Sequence, residues 1–187
     1  MIIRELRTIP NLLTALRGAL LPVLWVAALR GNSLVVGIGL AACFWLDFGD
    51  GFVARKLGQT SAFGSKFDSI VDGFIAPSAI AWLLLLRPDT ILHHKLLAAV
   101  WFVVTYASLA VGLLKFRRFA NLHLQSSRIA CVFQYAFLVD AFVAPPVLPA
   151  LLYTAIGLGI LSSLETLVIQ LSRAHVHDRM RSILASR

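Results

Sequence analysis

Apolar runs of bilayer-spanning length, separated by short polar breaks, dominate the pattern of this chain. Six runs, at about 11–29, 34–56, 66–86, 92–114, 126–143 and 147–171, each hold close to the roughly 20 residues a helix needs to cross a hydrocarbon core. None shows the period-two alternation of a transmembrane barrel strand, and a helix is the other structure that satisfies its backbone polar groups in lipid. Pro10 opens the first run and no small-x-small site closes it, so it reads as a span rather than a cleavable leader. Ahead of it, MIIRELRTIP reads as a short N-terminal amphipathic segment on the membrane surface. The expected architecture is an all-α integral membrane protein with six transmembrane helices in a single domain over residues 1–187, ending in the basic tail SRAHVHDRMRSILASR.

Composition narrows the class further. Only 14% of the residues are charged and 59% are hydrophobic, against about 25% charged in soluble domains, which leaves no room for a separate soluble domain. The net charge of +8 is not a nucleic-acid footprint, because no dense basic run is interleaved with aromatics. The basic residues follow membrane topology instead. Fourteen of the seventeen Lys and Arg fall on one side of the spans, and only Arg30, Arg87 and Lys95 fall on the other. Both termini are therefore expected in the cytoplasm, as an even number of spans also requires. Cys43 and Cys131 lie inside apolar runs without metal-ligand spacing and read as small buried hydrophobes.

Against this background, one stretch stands apart. LDFGDGFVARKLGQTSAFGSKFDSIVDG, residues 46–73, holds four of the nine acidic residues, Asp47, Asp50, Asp68 and Asp72. The first two are three apart near the end of the second span, and the last two are four apart at the start of the third. Each pair therefore shares a helix face, and the short connection folds the pairs toward each other. Gly51, Ala54 and Gly58 continue the face of the first pair, and Gly64 lies one turn before the second. An unsatisfied charge at membrane depth costs on the order of 2.5–3.5 kcal/mol even on the lenient insertion scale. Arg55 supplies one offsetting charge and Lys66 is a second candidate. The remaining deficit calls for hard, oxygen-seeking divalent cations, Mg²⁺ or Mn²⁺, with one or two ions fitting the cluster and two the expected number.

Asp47-x-x-Asp50-Gly51-x-x-Ala54-Arg55, eight residues, then Gly64-x-x-x-Asp68-x-x-x-Asp72 resembles the full signature of the CDP-alcohol phosphatidyltransferases, with all eight defining positions matched. The resemblance extends to length, to six spans, and to IPNLLTALR, which is similar to the glycerophosphate-accepting branch. It implies a membrane enzyme of phospholipid biosynthesis that moves a phosphatidyl group from CDP-diacylglycerol to a small alcohol and releases CMP. It also implies that Asp47, Asp50, Asp68 and Asp72 bind the metals and that Asp72 doubles as base for the acceptor hydroxyl. Gly51, Ala54 and Gly64 would make room for the cytidine nucleotide, and Arg55 would contact the diphosphate. By the same resemblance Asn11 and Thr14, on one face with Arg17, lie near the nucleotide, with a helix-cap role as the alternative. A homodimer, a bacterial inner membrane and an active site facing the cytoplasm complete the expectation.

The acceptor is less sharply drawn. Lys115, Arg117, Arg118, His123 and Arg128, in LKFRRFANLHLQSSR, are placed to bind an acceptor phosphate such as that of glycerol 3-phosphate, or else act only as topology signals. DSIVDGFIAP resembles the serine-accepting branch, and Gly73 stands where the glycerophosphate branch more often has Lys. Serine and inositol phosphate are therefore the alternatives to glycerol 3-phosphate. From other classes, a small cation transporter explains the acids but not Gly51, Ala54, Arg55 and Gly64 at fixed offsets. An inactive membrane scaffold does not explain why every acid is retained. His93, His94, His175 and His177 read as surface residues, Asp140 as an interfacial acid, and Glu165 has no assigned role.

Overall fold

A computed structural model describes residues 8–58, 61–116 and 125–172. Among the described residues seven helices follow in order: α1 Ile9–Leu29, α2 Ser33–Lys56, α3 Ala62–Leu86, α4 Pro88–Leu92, α5 Lys95–Phe116, α6 Gln125–Val143 and α7 Pro149–Ser172. All but α4 are long and apolar enough to cross a membrane, and the described residues contain no strand. The expected amphipathic segment and basic tail lie outside the described residues.

Helix ends depart from the sequence expectation where local chemistry overrides hydropathy. The third helix starts at Ala62 rather than 66, because Ser61 caps it by accepting the Gly64 amide at 2.9 Å. The fourth span starts at Lys95 rather than 92, and the one-turn α4 precedes it as a separate piece. The break falls at His93 and His94; a ring nitrogen of His93 lies 2.7 Å from the Asp89 carbonyl oxygen, and His94 packs edge-on to Tyr153. The sixth span opens at Pro149, where a missing N–H costs nothing. Gly58 does not continue the face of Asp47 and Asp50. It follows the helix with φ +63°, a left-handed residue that stops α2.

The chain divides into two compact units. The first contains residues 1–88 with 138–145, and the second 89–137 with 146–187. In the first, α1 packs against both α2 and α3. Leu24, Ala28, Val36, Leu40, Ile75, Ala79 and Trp82 fill its core. Trp25 meets Trp82 edge to face at 5.7 Å, and its indole N–H donates to Ser78 Oγ at 3.0 Å. Small residues let helices approach, as the glycines in GIGL at 37–40 suggest: a Cβ on Gly37 would sit 3.0 Å from Phe142 Cβ, and one on Gly39 would collide with Leu24. Beside Gly37, Arg87 Nε donates to the Ala141 carbonyl at 3.2 Å and Ser33 Oγ to that of Phe142 at 2.7 Å, tying three helix ends together.

In the second unit α5 packs on α7, and polar pairs knit its helices. Thr105 meets Ser163 at 3.0 Å and Ser127 meets Ser162 at 2.8 Å, while Ser126 Oγ donates to Glu165. Gly159 is the close-packing glycine of GLG, since a Cβ there would meet Gln134 and Trp101. Leu12, Val23, Trp45, Leu96, Val103 and Leu161 are exposed; on helices of this length such an apolar exterior suits lipid rather than water.

Candidate active site

The site is built within the first unit, where the end of α2 and the start of α3 meet the first half of α1. A helix face offers one side chain per turn, so Asn11, Thr14 and Arg17, three apart, line one stripe of α1. All three are buried, and Arg17 is fully so. Its guanidinium is held by all four carboxylates. One terminal nitrogen, Nη1, donates to Asp47 Oδ1 and Asp68 Oδ1, each at 2.8 Å, and lies 3.4 Å from Asp50 Oδ2. The other, Nη2, donates to Asp72. Thr14 Oγ1 lies 3.1 Å from Asp50 Oδ2 and 3.2 Å from the Pro10 carbonyl oxygen, so its one proton serves either acceptor.

Exposure is graded across the cluster. The side chain of Arg17 is 0% exposed and that of Asp50 9%, while Asp47, Asp68 and Asp72 stand at 37%, 36% and 50%. The acids form the mouth of the site and the guanidinium its floor. Carboxylate oxygens of Asp47, Asp50 and Asp68 lie within 4.8 Å of one another. Oxygens on opposite sides of an ion with ligands at 2.0–2.1 Å stand about 4.2 Å apart, close to the spread of these three acids, so Mg²⁺ or Mn²⁺ suits them once the Arg17 nitrogen among them gives way. The all-oxygen, anionic donor set fits such an ion and disfavours softer metals. Asp72, on the second guanidinium nitrogen, flanks this trio.

Several expectations are revised by this geometry. Among the described side chains, the charge that faces the acids comes from Arg17. Lys66 is exposed and takes part in none of the ion pairs among the described residues. Nor does Thr14 cap its helix; α1 begins at Ile9, after Thr8, and the Thr14 hydroxyl turns to Asp50 instead. Gly64 makes room for Asn11, because a Cβ there would lie 2.6 Å from Asn11 Oδ1 and 3.2 Å from Ser61 Oγ. The side chains of Gly51, Ala54 and Arg55 lie outside the described residues, although α2 runs through these positions. Sequence reading placed Arg17 on the right face but gave it no partner. The available signal was a cation inside an apolar helix, which requires one.

Of the basic residues named for the acceptor, two are described. Lys115 and Arg128 belong to the second unit. Lys115 Nζ donates to the Gln170 carbonyl at 2.7 Å and the Leu171 carbonyl at 3.2 Å, a cation on the last carbonyls of α7. Arg128 is exposed in the first turn of α6. Arg117, Arg118 and His123 lie outside the described residues.

Fold and site together define a polytopic membrane protein with an oxygen-rich, cation-holding centre shared by three helices. The chain belongs to the CDP-alcohol phosphatidyltransferase family, whose model matches residues 7–174, and it is accordingly a transferase of phospholipid biosynthesis. It is 33% identical over 132 residues to the CDP-diacylglycerol–glycerol-3-phosphate 3-phosphatidyltransferase of Rickettsia felis, covering 67% of this chain and 68% of that protein. The protein of the same name from Rickettsia typhi is 33% identical over 90 residues, 46% of this chain and 49% of that one, so this match spans about half the relative's length. No solved structure matches the chain.

Proposed function

We propose that this enzyme transfers the phosphatidyl group of CDP-diacylglycerol to glycerol 3-phosphate and releases CMP. The observation that carries the reading is the convergence of Asp47, Asp50, Asp68 and Asp72 on one buried guanidinium. The acceptor rests on the activity for which the Rickettsia relatives are named and on IPNLLTALR in α1. Bound Mg²⁺ or Mn²⁺, in one or two ions, would neutralise charge on the phosphate oxygens in the transition state and on the departing CMP. Asp47, Asp50 and Asp68 would hold these ions, with Asp72 beside them.

The chain's own groups would carry the rest. Asp72, the most exposed of the four acids, is placed to take the acceptor hydroxyl proton as that oxygen attacks the lipid-side phosphorus and the bond to CMP breaks. Arg17 and Thr14 hold the acids in register, and Arg55 would meet the diphosphate. Small residues at Gly51 and Ala54 would admit the nucleotide close to the backbone of α2. Lys115, Arg117, Arg118, His123 and Arg128 remain candidates for the acceptor phosphate, Lys115 at the cost of its hold on α7. The lipid tails must stay in the bilayer while CMP and acceptor exchange with water, so the site belongs at the membrane boundary. The Lys and Arg asymmetry supports the cytoplasmic face, and the bacterial relatives support an inner membrane. We also infer a single membrane domain acting as a homodimer.

The test is CMP release by purified protein in detergent with CDP-diacylglycerol and Mg²⁺ or Mn²⁺. Glycerol 3-phosphate, serine and inositol phosphate are supplied separately. Release with glycerol 3-phosphate alone is expected, abolished by EDTA and reduced at least about 100-fold by Asp68→Asn. Release with serine or inositol phosphate instead would overturn the acceptor, and release insensitive to EDTA would overturn the metal.

A further inference from the structure

Arg17 occupies the place a cation would take. Its Nη1 lies within 3.4 Å of oxygens from Asp47, Asp50 and Asp68, the same three acids whose oxygens converge within 4.8 Å. A divalent ion with ligands at about 2.1 Å would draw on these three acids, and a guanidinium nitrogen 2.8 Å from oxygens of Asp47 and Asp68 and 3.4 Å from one of Asp50 competes for them. The guanidinium has no route into water, being fully buried on α1. It has a second anchor, however, since Nη2 is already paired with Asp72.

We propose that Arg17 is a resident countercation that competes with divalent ions for these carboxylates, so that metal loading is an exchange rather than the filling of an empty site. The inference rests on reading the cluster as a Mg²⁺ or Mn²⁺ site. Two consequences follow from charge alone. With Arg17 in place, four acids are held together before any ion arrives, and their mutual repulsion is reduced. With its charge removed, the ion meets no competing cation and binds more tightly. Thr14 still reaches Asp50 on α2 and Asn11 still packs on Gly64 of α3, which keeps α1 against the two acid-bearing helices. Arg17 is in this sense a positioning residue whose influence is read in ion affinity as well as in rate.

The experiment compares full-length wild type, Arg17→Met and Arg17→Lys in detergent. Mn²⁺ affinity is read by electron paramagnetic resonance, and thermal unfolding is followed in EDTA and in saturating Mn²⁺. Arg17→Met should bind Mn²⁺ at least tenfold more tightly than wild type. It should also unfold at lower temperature in EDTA and gain more from Mn²⁺ than wild type gains. Arg17→Lys, which keeps the charge, should bind within about threefold of wild type. Unchanged or weaker Mn²⁺ binding by Arg17→Met would overturn the proposal while leaving the metal site intact. Failure of Arg17→Met to fold even in saturating Mn²⁺ would also overturn it, since an ion on the same oxygens should replace the lost charge. Absence of Mn²⁺ binding by the wild type would overturn the metal reading itself, and the proposal with it.

Discussion

Gly64→Ala tests the packing that aligns the site. The added Cβ would stand 2.6 Å from Asn11 Oδ1, most of an ångström inside the ordinary contact range that begins near 3.4 Å. Asn11 is 4% exposed and cannot swing into solvent, so the first turn of α1 must retreat from α3. Forced overpacking of this kind costs about 1–3 kcal/mol. Alanine returns up to about 1 kcal/mol of helix propensity, leaving a net loss of about 1–2 kcal/mol. At roughly 2–4 °C for each kcal/mol in a chain of this size, the unfolding temperature should fall by about 2–8 °C. The same retreat would carry Thr14 and Arg17 off their carboxylates, one and two turns further along. A misplacement approaching 1 Å costs up to about 100-fold in rate. The control is Gly73→Ala, nine residues on in the same helix, where a Cβ meets nothing within 4 Å; it should leave the unfolding temperature unchanged or raise it. Thermal unfolding in detergent and CMP release check both variants. If Gly64→Ala were as stable as Gly73→Ala and kept its rate within twofold, the close approach of Asn11 would carry no energy and the account would fail.

A second glycine pair makes the same comparison in the other unit. Gly159→Ala drives a Cβ to 2.6 Å from both Gln134 Nε2 and Trp101 Nε1, whereas Gly157→Ala meets nothing within 4 Å. The first should destabilise by a net of about 1–2 kcal/mol and so lower the unfolding temperature, and the second raise it slightly, so shifts of the same sign would contradict the packing. Ser126→Ala removes a hydroxyl that donates to Glu165 and should cost about 1 kcal/mol, toward the low end for a charge-assisted bond because both groups are only half-buried. No change in unfolding temperature would mean that water replaces the hydroxyl.

The six spans were legible because each is an apolar run with polar breaks, and a bilayer reads length and hydropathy directly. Their ends were less so, because caps and turns obey local rules. Ser61 starts α3 a full turn early by accepting one amide, and Gly58 leaves the helix although its spacing continues the acidic face. Neither residue changes the hydropathy of its window. The acid pairs were legible for a different reason. Offsets of three and four fix a shared face, and two such faces on consecutive helices with a short link can meet.

Arg17 shows where that logic stops. Spacing says what one face carries, but not which face of which helix it meets. The partners of Arg17 lie 30 to 55 residues away on two other helices, whereas Lys66 stands two residues from Asp68 in sequence. Burial reverses the preference. A guanidinium with no access to water must find carboxylates, while an exposed lysine can satisfy itself in solvent and contributes little. Yet among the described side chains one guanidinium against four carboxylates still leaves a formal excess of three negative charges at the mouth of the site. At about 5 Å and an effective dielectric near 20, each remaining like-charged pair costs about 3 kcal/mol. Neutral side chains cannot offset that. The same imbalance that Arg17 only partly relieves is what would draw divalent ions to these oxygens, and its buried charge sets how tightly they would be held.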